Sequence, residues 1–202
     1  MIGHNHLGKN GRFGNQMFQY AATRGIAAAR GYHFIIPDGP RTDEEFHDEE
    51  EQHKLFMAFD MTGAKNIGLL EAGYRKESSF RFDQSIVDEC PDNVNLYGYF
   101  QSEKYFKHIE DEIREDFTFR DEVEENCHNF LDQAVGENDF ITLHVRRTDH
   151  LIKPTFHPVL PISYYEEALG RMPKDIPVVV LTDDPSWAFG HEFFESDRFF
   201  IS

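Results

Sequence analysis

Across residues 15–30 the polar side chains Gln16, Gln19, Thr23 and Arg30 fall near one helical face. Met17, Phe18, Ala21, Ala22, Ile26 and Ala29 fill much of the remainder, which predicts a mostly buried helix. Gly31 ends it and 33–36 form a short apolar strand, so the first 35 residues read strand, turn, helix, strand. Residues 54–83 mix Phe, Gly and charge without a clean period and read as irregular with some strand. A strand is expected over 95–100. Ser102 then caps a helix carrying Phe106, Ile109, Ile113 and Phe117 on one stripe. Over 121–135, Val123, Cys127, Phe130, Leu131 and Ala134 recur at helical spacing, which makes Cys127 a small core residue rather than a reactive thiol.

From Asp139 the pattern alternates. Strands are expected over 140–145, 177–181 and 199–201, and helices over 163–171 and 185–195. Strands separated by helices imply right-handed crossovers and a parallel sheet. The domain boundary falls between 118 and 138, giving an N-terminal α/β domain (1–125) and a C-terminal one (126–202). The second holds only half of a doubly wound sheet.

Composition narrows the function. The 202 residues carry 20 Lys plus Arg against 37 Asp plus Glu, a formal net charge of −17. Nucleic acid is thereby a poor partner, because phosphate neutralisation supplies most of such affinity. An anionic ligand has to be caught by a few concentrated cations. Two cysteines, Cys90 and Cys127, are too few for a disulfide framework or a Cys-based zinc site. The chain has no stretch long enough for a membrane span and no signal-peptide pattern, so it reads as soluble and cytoplasmic. The acidic run over 43–51 reads as a solvated surface loop, with a divalent-ion site as the remote alternative.

Open parallel sheets bind ligands at the carboxyl ends of their strands. Two polar clusters stand at such ends: His144, Arg146, Arg147 and Asp149 after the first strand of the second domain, Asp183 and Asp184 after the next. Strand alternation sends His144 and Arg146 to one face and Arg147 and Asp149 to the other. Arg146 is therefore the candidate to clamp a diphosphate through its planar fork, with His144 beside it for a base or ribose. Arg147 and Asp149 are expected to pair and hold the turn, and both arginines serving only as ion-pair partners is the plainer reading. Asp183 and Asp184 suit guanine or ribose donors, while Asp184 before Pro185 also reads as a helix cap. Gly11, Arg12, Gly14 and Asn15 precede or open the first helix, whose N-terminus can receive phosphate or sugar oxygens; the plainer reading is a tight connection. No P-loop or dinucleotide fingerprint is present.

GRFGNQMFQYAA (11–22) resembles the N-terminal motif of glycosyltransferase family 11, the α-1,2-fucosyltransferases. LYGYFQSEKYF (96–106), HVRRTD (144–149) and VVLTDDPSW (179–187) are similar to that family's later motifs and follow in family order. The resemblance extends to the metal-independent fucosyltransferase superfamily. It implies a GT-B-like fold of two Rossmann-like domains, here with a shortened second one. It also implies GDP-fucose as donor, a galactose-containing glycan as acceptor, and no metal or cofactor. By the same resemblance Arg146 holds the donor β-phosphate, His144 and Asp184 contact guanosine, and Asn15 and Arg12 line the cleft between domains.

Two departures stand out: family members usually continue beyond the T-D-D segment, and α-1,6 relatives carry an acidic residue where Pro154 stands. The implied chemistry is inverting, metal-independent transfer of L-fucose to the 2-hydroxyl of a terminal galactoside. Its residues are catalytic Arg146 and Asn15, with His144, Arg147, Asp183, Asp184, Arg12 and Gly14 binding the donor. His150 and His157 are weak candidates for a base. A non-catalytic GDP- or sugar-binding relative is the alternative, and a metal-dependent transferase using Asp183 and Asp184 comes third. The expected location is the cytoplasm, with peripheral placement at a glycan-assembling membrane as a variant.

Overall fold

The computed structural model describes residues 1–9, 11–38, 54–152, 154–155 and 157–202; the acidic run at 43–51 lies outside the described residues. The chain divides into two compact units, Met1–Val123 and Glu124–Ser202.

The first unit is built on a four-stranded parallel sheet in the order β2-β1-β4-β3, from β1 (Ile2–Gly3), β2 (Phe34–Ile35), β3 (Tyr74–Lys76) and β4 (Val94–Tyr97). Helix α1 (Phe13–Arg30) matches the expected helix and starts two residues earlier. Gly31 ends it in the left-handed region (φ 66°), returning its amide to the carbonyls of Ala27 and Ala28. Ala22 and Ile26 pack with Ile2, Leu96 and Phe100, whereas Tyr20 and Ala21 pack with Ile36, Leu55 and Ile113. The polar stripe is buried as well, except at Arg30, which is exposed. Gln16 accepts from the Lys54 amide, Gln19 donates to the Gly98 carbonyl, and the Thr23 hydroxyl bonds back to the Gln19 carbonyl. Burying such groups is tolerable only with these partners.

Between β2 and β4 lie a short α2 (Leu55–Ala58) and α3 (Gln84–Asp88), the latter capped by Asp83, which accepts from the Ser85 amide and hydroxyl. The expected strand over 95–100 stops at Tyr97, because Gly98 (φ 159°) and Phe100 (φ 51°) turn the chain. The Glu77 carboxylate holds that turn by accepting from the amides of Tyr99 (2.8 Å) and Phe100 (3.1 Å).

The helix expected from Ser102 is instead two 3-10 turns, Glu103–Tyr105 and Lys107–Ile109, followed by α4 (Glu110–Asp116). The backbone of Tyr105 and Phe106 lies so close to Gly25 that a Cβ there would stand 2.3 Å from the Tyr105 carbonyl oxygen. His108 also bonds the Gly25 carbonyl. Contact with α1 thus takes precedence over local helix continuity.

Helix α5 (Asp121–Ala134) has the expected span, but no residue of it is buried and Cys127 is exposed. Cys127 is therefore not a core residue: helical spacing shows which residues share a face, not that anything packs against it.

The second unit contains β5 (Ile141–Val145), β6 (Val178–Thr182) and β7 (Phe199–Ile201) in the parallel order β5-β6-β7. Leu143, Val145, Val178 and Val180 pack against Tyr165 and Leu169 of α7 (Ile162–Gly170) and Ala188 of α8 (Pro185–Phe189). The helix expected over 185–195 breaks after α8. Gly190 ends it, and His191 caps a separate 3-10 turn, Glu192–Phe194.

Candidate functional site

On β5, Leu143 and Val145 are buried while Thr142 and His144 are exposed, so His144 faces away from the core. Alternation ends there. Beyond Val145 the chain turns into α6 (Thr148–Ile152), and the expected two-face division of 146–149 does not hold. Arg146, not Arg147, is the partner of Asp149. Its Nε and Nη2 fork onto the two carboxylate oxygens at 3.1 and 2.7 Å. This pairing holds the Arg146 guanidinium above its ordinary pKa, with burial opposing it. The side chain stays 37% exposed, and three of its five N–H groups are not used in that fork.

Arg147 takes the place expected of an internal brace. Its guanidinium lies 3.7 Å from the Trp187 ring centroid, Nε is 3.4 Å from Asp184 Oδ2, and the side chain is 18% exposed. Its backbone amide donates to Asp183 Oδ1 (2.8 Å), while the Thr148 hydroxyl donates to Oδ2 (2.6 Å). Burial pushes the Asp183 carboxyl up, but those hydrogen bonds outweigh it and leave it below its ordinary pKa. Asp184 caps α8, accepting from the Trp187 amide, as the Asp-Pro pair predicts. The turns after β5 and β6 are thereby tied into one polar edge, with His144 in register beside Leu181. Pro154 is exposed, and the His150 and His157 rings stack at 5.0 Å.

In the first unit Arg12 is the residue before α1, and Gly14 and Asn15 lie in its first turn. Gly11 has φ 81°, and a Cβ there would run into the Asn15 side chain, so glycine is required on both counts. Asn15 Oδ1 accepts from the Gln101 amide group.

Sequence reasoning assigned no role to Gln101, Glu77, Thr148 or Trp187. Trp187 and Gln101 lie inside recognisable motifs, but their partners stand 40 and 86 positions away in the chain, as Arg147 and Asn15. No spacing rule connects such pairs.

The two parallel sheets, the second with arginines and carboxylates at its carboxyl edge, make this an α/β protein, and its solved neighbours share the GT-B-like fold. The crystal structure of NodZ alpha-1,6-fucosyltransferase soaked with GDP-fucose superimposes with a TM-score of 0.56 at 14% identity, over 100% of this chain and 76% of that one. This is a likeness of fold. The sequence profile of glycosyl transferase family 11 matches residues 1–193, and the chain belongs to that family. O-antigen biosynthesis glycosyltransferase WbnK of Escherichia coli is 30% identical over 131 residues, 59% of this chain and 43% of its own length. Galactoside alpha-(1,2)-fucosyltransferase 1 of Homo sapiens is 28% identical over 156 residues, 70% of this chain and 38% of its own. The chain thus spans less than half the length of these two relatives.

Proposed function

We propose that this chain transfers L-fucose from GDP-fucose to the 2-hydroxyl of a terminal galactoside, with inversion and without a metal ion. The observation that carries the reading is Arg146 at the carboxyl edge of a parallel sheet, oriented by Asp149 and still presenting N–H groups. Departure of GDP requires charge compensation on its β-phosphate, and a fixed guanidinium supplies it with little reorganisation. His144 and Asp184 contact guanosine, and Arg147 and Asp183 hold the two turns in place. The first unit serves the acceptor. Asn15 orients a reacting hydroxyl through hydrogen bonds, since an amide cannot serve as base. The displacement breaks the C1–phosphate oxygen bond, GDP leaving with the electron pair, as the acceptor oxygen attacks from the opposite face and releases its proton to water, turning a β-linked donor into an α-linked product.

The test is fucose transfer to lactose. Arg146→Ala is expected to abolish turnover and EDTA to leave it unchanged; a strict Mg²⁺ or Mn²⁺ requirement overturns the mechanism. Pro154 in place of an acidic residue favours a second reading, a GDP-binding relative that does not turn over. Calorimetric GDP binding with no transfer would select it.

A further inference from the structure

Between α1 and the segment that follows β4, the first unit holds a cavity of about 540 Å³, within the size range of small-molecule sites. Met17, Phe18 and Ala21 of α1 line one wall, and Phe106, Ile113 and Phe117 line another. The charged groups on its lining neutralise one another. Glu110 receives both Lys107 (2.6 Å) and Arg114 (2.7 Å), and Glu103 stands 3.9 Å from Lys107. Two cations matched to two carboxylates leave no surplus charge for a diphosphate. Away from those paired charges, Met17, Phe18, Ala21, Phe106, Ile113 and Phe117 offer the hydroxyls of a bare sugar no side-chain partner. A neutral apolar group fits both conditions.

Gly14 supplies a second observation. It also lines the cavity, and a Cβ built on it would meet nothing within 4 Å. Neither a positive φ nor a close neighbour requires glycine there, and glycine weakens a helix relative to alanine. The missing side chain keeps the cavity wall clear. Next along the chain from Gly14, Asn15 accepts from Gln101, which itself stands two residues before the lining residue Glu103.

We propose that this cavity takes the alkyl or aryl aglycone of the acceptor glycoside, while hydroxyls of its sugar meet Asn15 and Gln101. The proposal rests on the galactoside-acceptor reading above and adds a subsite to it. Calorimetry with n-octyl β-galactoside and methyl β-galactoside, both below micelle-forming concentration, tests it on the full chain. The octyl compound is expected to bind about tenfold tighter or more, because burying methylenes is favourable. Gly14→Leu, which fills the space, and Phe18→Ala, which strips a wall, are both expected to close that gap. Gly14→Leu should do so without lowering the melting temperature. Equal affinity for the two galactosides, an unchanged gap in Gly14→Leu, or displacement of the octyl compound by GDP would each overturn the proposal. An n-octyl β-glucoside that binds as tightly as the galactoside, with no transfer to either, would leave the cavity assigned and overturn the galactoside reading instead.

Discussion

Asp149 decides what Arg146 can do. A guanidinium on a flexible stem loses side-chain entropy whenever it is fixed, and the fork onto Asp149 fixes it before any ligand arrives. Replacing Asp149 by Asn removes the charge and one acceptor while keeping the shape. We expect kcat/KM for GDP-fucose to fall about 10–100-fold, with the unfolding midpoint little changed. Steady-state kinetics beside a thermal melt checks this, and unaltered kinetics would show that Asp149 does not position Arg146. Asp116 is the corresponding residue for stability. Fully buried, it accepts from the Tyr20 hydroxyl (2.5 Å) and the Gly63 amide (2.6 Å) and pairs with Arg24. Asp116→Ala leaves Arg24 without its carboxylate, and denaturant unfolding is expected to show a loss of about 3–5 kcal/mol.

The hydrophobic pattern located most elements, while their ends were set by contacts between elements. Helices α1 and α7 and strand β5 are legible from their periods, and β6 and β7 as short unbroken apolar runs, VVVLT and FFI. The helix expected after Ser102 shows the opposite case. Its stripe is real, with Ile113 buried and Phe106, Ile109 and Phe117 packed against the same cluster, yet the backbone breaks where it presses on Gly25. Gly25→Ala should therefore destabilise by about 1–3 kcal/mol, against the usual benefit of alanine in a helix; denaturant midpoints give the sign. On α4, hydrogen bonds from Lys107 and then Arg114 bring the Glu110 carboxyl down to about 2. Because the folded value lies below the unfolded one, this contribution to stability is present above the ordinary carboxylate range. It is lost as pH falls through about 2. A carbon-detected NMR titration of Glu110 is expected to show that midpoint, and one near 4.5 would mean that the pairs dissolve in solution.

For the molecule as a whole, a net charge of −17 and a sequence pI of about 4.9 set the behaviour away from the site. Self-repulsion opposes association of copies at neutral pH and vanishes near pH 4.9, so light scattering should rise there and fall again on either side. Under the proposed function, the same charge means that an anionic donor has to be drawn in by local geometry at Arg146 rather than by the overall field. Among the described residues no helix is long and apolar enough to cross a membrane.

The sequence by itself determined the parallel α/β class, membership of the family through its ordered motifs, and the edge of the sheet where Arg146, Asp183 and Asp184 would stand. Those properties follow from periodicity and short-range spacing, which a linear chain displays openly. Tertiary structure alone decided that Asp149 serves Arg146, that Arg147 lies on Trp187, that Gln101 reaches Asn15, and that Cys127 faces solvent. Each of these depends on where a strand ends, or on which surfaces meet across tens of residues. Free energy settles such choices over the whole packed unit, and no local window of sequence contains them.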